Sequence, residues 1–161
     1  MLKINYNPNV KPLPQFAFDT LNSICGKCGI DTLTVTRTVS TPHEQAKIMY
    51  DNCDKYGTES QYKLYGKYGD QVIDVYVHSK AMGFKGIDIV EAMETKIIVI
   101  GPANVSHHCS NDPKLSIVDI APSSIAEDKR DMFVFIVPKY KAVTKFIKPP
   151  VDPCFHLEFS C

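Results

Sequence analysis

An aspartate stands inside an otherwise apolar run, "LSIVDIAP", where Asp119 interrupts a segment that reads as a buried strand over residues 115 to 120. Any fold this chain adopts must meet that carboxylate with a cation, a hydrogen-bond donor or a metal, because an isolated buried charge is strongly unfavourable. The run "FHLEF" at 155 to 159 poses a related case. Strand alternation places Phe155, Leu157 and Phe159 on one side and His156 with Glu158 on the other. A third polar group, His107 or His108, lies in "NVSHHCSNDPKL", just before the strand that carries Asp119.

The remaining pattern sets the fold class. Ala17, Leu21, Ile24 and Cys28 recur at helical spacing over residues 14 to 28, and Gly29 is the expected stop. "DTLTVT" at 31 to 36 is β-branched and alternating, as a strand requires. In "STPHEQAKIMYDNCDKYG", Thr41, Pro42 and Glu44 form a capping-box start, and Ala46, Met49, Tyr50, Cys53 and Tyr56 share one helical face. "GDQVIDVYVHSKAMG" is expected to be helical from Asp70, although "VIDVYV" also alternates like a strand. Ile87, Val90, Met93, Ile97 and Ile100 predict a core-facing helix closed by Gly101 and Pro102. "MFVFIVPKY" and "VTKFI" are short apolar elements of either type. Helices mixed with non-adjacent strands, without regular βαβ alternation, predict an α+β fold: a single domain with helices packed on a small, mainly antiparallel sheet.

At 161 residues the chain is long enough for a substantial core. Lys plus Arg and Asp plus Glu balance at 18 each, so the electrostatic footprint of a nucleic-acid-binding protein is missing. No apolar run approaches the ~20 residues that span a bilayer. The opening "MLKINYNPNVKPLPQ" has no apolar signal core, so the expectation is cytoplasmic synthesis with some other route to any extracellular target. In that setting the six cysteines are expected to be reduced thiols. Cys25 and Cys28 form a lone C-x-x-C without the second pair of a zinc ribbon; they read as helix-face residues, with metal or redox roles as alternatives.

Two imidazoles and one carboxylate, with a fourth position left to water, make a catalytic zinc set. A nearby carboxylate then serves as general base and a cation stabilises the oxyanion. Each residue also has an ordinary explanation: a solvated histidine pair, an aspartate paired with Arg or Lys, and a satisfied strand histidine.

These residues resemble the zinc peptidases of the Hedgehog/D-Ala-D-Ala peptidase fold, which include D,D-carboxypeptidases, D,D-dipeptidases and phage L-alanyl-D-glutamate endolysins. The first motif of that family is S-x-H-x-x-G-x-A-x-D. Ser106, His107 and His108 match S-x-H, and "SIVDI" matches its end, which makes His108 and Asp119 zinc ligands. The spacing departs from the family: eleven positions separate His108 from Asp119, against seven in the usual motif, so "CSNDPKL" reads as a lengthened loop. The second motif, E-x-W-H, is resembled by "DPCFHLEF", which makes His156 the third ligand. The family's catalytic carboxylate lies three positions before that histidine, where this chain has Pro153. Asp152, one position further away, is preferred as base, with Glu158 as the alternative. "LTVTRTVSTPHEQAKIMY" resembles the upstream block, so Arg37 is expected to contact substrate or the oxyanion and Gln45 to match the helix glutamine, as a substrate-binding residue. Ser106 and His107 fall on the substrate side.

The resemblance implies a zinc metallopeptidase that hydrolyses peptidoglycan stem peptides or cross-links, in phage lysis or entry, reaching the wall through a holin or within a virion. A catalytically weak zinc-binding or structural protein of the same fold is the alternative, favoured by Pro153. A redox protein using Cys25 and Cys28 is a more distant one.

Overall fold

Strand alternation and helical periodicity sort this chain into one sheet and two groups of helices, in a computed structural model that describes residues 1–161. Seven α-helices accompany one five-stranded sheet, mostly antiparallel, so the α+β expectation holds. Close contacts divide the chain into two units, residues 1–39 with 112–161, and residues 40–111.

The first unit holds the whole sheet: β1 (Lys3–Tyr6), β2 (Thr32–Arg37), β3 (Leu115–Ile120), β4 (Val143–Ile147) and β5 (Phe155–Ser160), in the order β1-β2-β3-β5-β4. Only β1 and β2 run parallel; the other neighbours are antiparallel. Helix α1 (Gln15–Cys28) buries Ala17, Leu21, Ile24, Cys25 and Cys28, the spacing expected of it. Gly29 ends it in the left-handed region at φ 65°, where a side chain would be strained, and returns its N–H to Cys25 O. Leu33, Val35, Val118, Ile120, Phe155, Leu157 and Phe159 join α1 in one core, closed by Phe133 of α7 (Glu127–Ile136). Burying each such side chain stabilises the fold by roughly 1.5–3 kcal/mol. "MFVFIVPKY" thus resolves as the end of α7 and a 3₁₀ turn, and "VTKFI" as β4.

Two interruptions in the sheet decide where charges point. Val35 pairs with Ile120 and Arg37 with Asp119, so two steps along β2 match one step along β3. Likewise Val143 pairs with Phe159 and Lys145 with Glu158. A β-bulge of this kind turns the next side chain to the opposite face. Val35 therefore stays in the core while Arg37 joins the face of Asp119; Val143 packs against the core while Lys145 joins the face of Glu158.

The second unit is helical: α2 (Pro42–Tyr56), α3 (Thr58–Leu64), α4 (Lys67–Ala81), α5 (Ile87–Ile100) and α6 (Pro102–Val105), followed by a 3₁₀ turn at His107–Cys109. The capping box forms as expected: Thr41 Oγ1 accepts from Glu44 N (3.2 Å) and Thr41 N donates to Glu44 Oε2 (2.8 Å). Ala46, Met49, Cys53, Val72, Ile73, Tyr76, Ile89, Val90, Met93, Ile97 and Val105 form a separate core. Helix α4 starts three residues before the expected Asp70. Ile87 departs from expectation: it is 57% exposed at the first turn of α5. No helix is long and apolar enough to cross a membrane.

Candidate metal centre

The register of β3 and β5 sets Asp119 directly opposite His156. Such a pair puts both side chains on the same face at close range. His156 Nδ1 lies 2.8 Å from Asp119 Oδ1, and its Nε2 lies 3.2 Å from Glu158 Oε1. Asp119, His156 and Glu158 are all buried, at 8%, 9% and 4% exposure, so these contacts act where water screens little. The sequence expectation that His156 and Glu158 share a strand face is met.

Two cations flank the row through the bulges already described. Arg37 stands opposite Asp119, and Lys145 Nζ lies 3.5 Å from Glu158 Oε1. Asp152 sits in the turn before β5, where its Oδ1 accepts from Cys154 N at 2.8 Å. Burial holds the Asp152 carboxyl above the usual aspartate range, and the charge of Asp119 pushes the same way. The Cys154 N–H, His156 and Arg37 draw it back. Asp152 thus feels both members of the strand pair and the arginine. Cys154 beside it contacts Thr36 Oγ1 at 3.8 Å, and burial pushes its thiol up to about 11, so it stays protonated at neutral pH.

His108 is held by its own backbone. Ser106 Oγ accepts from His108 N at 3.3 Å, capping the 3₁₀ turn, and His108 O accepts from Ser40 N at 2.8 Å. This turn buries His108 to 3% exposure and leaves His107 exposed. His108, Asp119 and His156 each offer one ligand atom, and these atoms all lie within 4.8 Å of one another.

The donor set suits a divalent ion: two imidazoles and a carboxylate are zinc ligands. The strand face carries two carboxylates, Asp119 and Glu158, with Asp152 in the turn before β5 as a third, against two cations, Arg37 and Lys145. With neutral imidazole its charge is negative, and a divalent cation offsets it.

Other sequence candidates are placed as follows. Gln45 is fully buried in α2, with Nε2 donating to Tyr65 Oη at 3.0 Å. Cys25 and Cys28 are both buried, and burial, then proximity to Cys28, pushes the Cys25 thiol up to about 12. That is opposite to what a redox-active first cysteine needs. Lys145 was not visible as a site residue in the sequence. It has the same parity as Val143, so strict alternation points it into the core, and no local signal marks the bulge that turns it out.

The proton on His156 gives a pH signature. Burial opposes its charge, but the bonds to Asp119 and Glu158 outweigh that and hold the imidazole up to about 9, above the ordinary histidine value of 6.5. A group whose folded value is raised stabilises the fold fully below its unfolded value, and that stability is lost as pH climbs through the folded value. Chelator-treated protein is therefore expected to lose stability in equilibrium unfolding as pH rises from about 6.5 to about 9. A metal ion taken up by His156 must displace the same proton, so metal affinity is expected to rise across that range. A flat stability profile would show that His156 is not held charged.

No family model, curated protein or solved structure matches the chain. Fold and site together define an α+β protein with a buried group, His108, Asp119 and His156, that is able to hold a metal ion.

Proposed function

We propose that this chain is a zinc-dependent peptidase of the Hedgehog/D-Ala-D-Ala peptidase fold, hydrolysing peptide bonds of bacterial peptidoglycan stem peptides or cross-links in phage lysis or entry. The observation that carries the proposal is the convergence of His108, Asp119 and His156, the three residues that the family resemblance names as ligands. These three would hold zinc, which when bound polarises the scissile carbonyl and acidifies the attacking water. Asp152 takes the proton from that water and returns it to the leaving amine nitrogen; its raised carboxyl pKa favours holding the proton between the two transfers. Arg37 offers its guanidinium to a substrate carboxylate or to the oxyanion. Ser106, His107 and Gln45 are assigned to the substrate side by the same resemblance, Gln45 acting from within α2, where its Nε2 donates to Tyr65 Oη.

A second reading keeps the zinc and removes the turnover. It rests on Pro153, which occupies the family's usual base position, and on the Cys154 N–H that engages Asp152 Oδ1. One experiment separates the two. Purified protein is assayed for zinc, then incubated with purified peptidoglycan of several cross-link types while new amino termini are counted. Stoichiometric zinc and chelator-sensitive release of amino termini is the expected result. Zinc without release supports the binding protein, and protein that takes up no zinc sinks both readings.

A further inference from the structure

His156 has two ring nitrogens, and the strand geometry assigns each a different neighbour. Nδ1 faces Asp119 Oδ1 at 2.8 Å, across the β3–β5 pair. Nε2 faces Glu158 Oε1 at 3.2 Å, two residues along the same strand face. A metal shared by Asp119 and His156 must approach the nitrogen on the Asp119 side. The other nitrogen then keeps its hydrogen, with a buried carboxylate as acceptor. Glu158 is in turn anchored: the β4–β5 bulge sets Lys145 opposite it, with Nζ 3.5 Å from Oε1. A buried carboxylate with an ammonium on one side and an imidazole N–H on the other orients the ring and fixes its tautomer.

Resting on the zinc reading above, we propose that Glu158, anchored by Lys145, is a positioning residue: it accepts the Nε2–H of His156 and thereby commits Nδ1 to the metal. Glu158 is then not the general base, because its oxygen faces the ring nitrogen directed away from Asp119. The bulge at Lys145 becomes part of the site, since without it the lysine points into the core.

The test uses the full chain and zinc alone. Nitrogen-15 spectra of the zinc-loaded protein report which His156 nitrogen is ligated; Nδ1 is expected, with Nε2 protonated. Zinc affinity is measured by competition with a chromophoric chelator. Glu158→Leu keeps the volume and removes the acceptor, and it is expected to weaken zinc binding about 10- to 100-fold. Glu158→Gln retains a carbonyl oxygen at the same place, and it is expected to recover most of that loss. Ligation through Nε2 overturns the proposal, as does wild-type affinity in Glu158→Leu. Should Glu158→Leu fail to fold, the nitrogen assignment in the wild-type protein decides alone. Wild-type protein that binds no zinc defeats the metal reading itself, an outcome distinct from zinc held through the wrong nitrogen.

Discussion

His156→Ala is expected to do two things at once: weaken zinc binding by more than about 100-fold and destabilise the metal-free protein by on the order of 3–5 kcal/mol. The first effect follows, on the proposed zinc reading, from losing one of the three candidate ligands, which must exceed the loss from disturbing a group that only orients a ligand. The second has a different cause. His156 is the shared partner of Asp119 and Glu158, and both carboxylates are buried. Truncating the imidazole leaves two like charges behind with less compensation, and breaking a buried pair from one side costs more than the pair contributed. Chelator competition measures the first effect, and urea unfolding of metal-free protein measures the second. The two measurements separate the ligand role from the structural one. Zinc affinity unchanged in His156→Ala would remove this residue from the centre, and stability unchanged would mean that Asp119 and Glu158 find other partners.

On the proposed peptidase reading, Asp152→Asn is expected to leave zinc content unaltered and lower kcat about 10²- to 10⁴-fold, the range of a lost general base. The substitution keeps the size of the side chain and an oxygen able to accept from Cys154 N, so the turn before β5 is preserved. What disappears is the capacity to take and return a proton. Loss in kcat and in kcat/KM by similar factors, with KM little changed, is the pattern of an interaction made only in the transition state. Full activity in Asp152→Asn would reject Asp152 as base. Loss of zinc in the same variant would show that the carboxylate supports the metal rather than the water.

Much of the site could be read from residue order, for local reasons. A carboxylate in "LSIVDIAP" demands a partner wherever it is buried, and Asp119 has one in His156. Alternation in "FHLEF" places His156 beside Glu158 without any knowledge of the neighbouring strands. The capping box at Thr41 and the spacing of α1 are equally local, and both elements appear where expected. Other elements escaped for want of a strong period. β1 is only four residues long and α3 only seven, too short for a repeat to declare itself. "VIDVYV" fits a strand and a helix alike. Burial of Val72, Ile73 and Tyr76 on one face of α4 resolved it, and that face exists only once other helices pack against it.

What the sequence by itself determined is the α+β class, the main helices and the residue types of the centre, because these rest on periodicity and on the cost of burying a charge. What only the tertiary structure decided is the pairing: Arg37 opposite Asp119, His156 opposite Asp119 and Lys145 opposite Glu158. Strand register joins segments far apart in the chain, and a bulge reverses the face of every residue beyond it. Local alternation sends both Arg37 and Lys145 into the core, and the two bulges instead bring them to the carboxylates they offset.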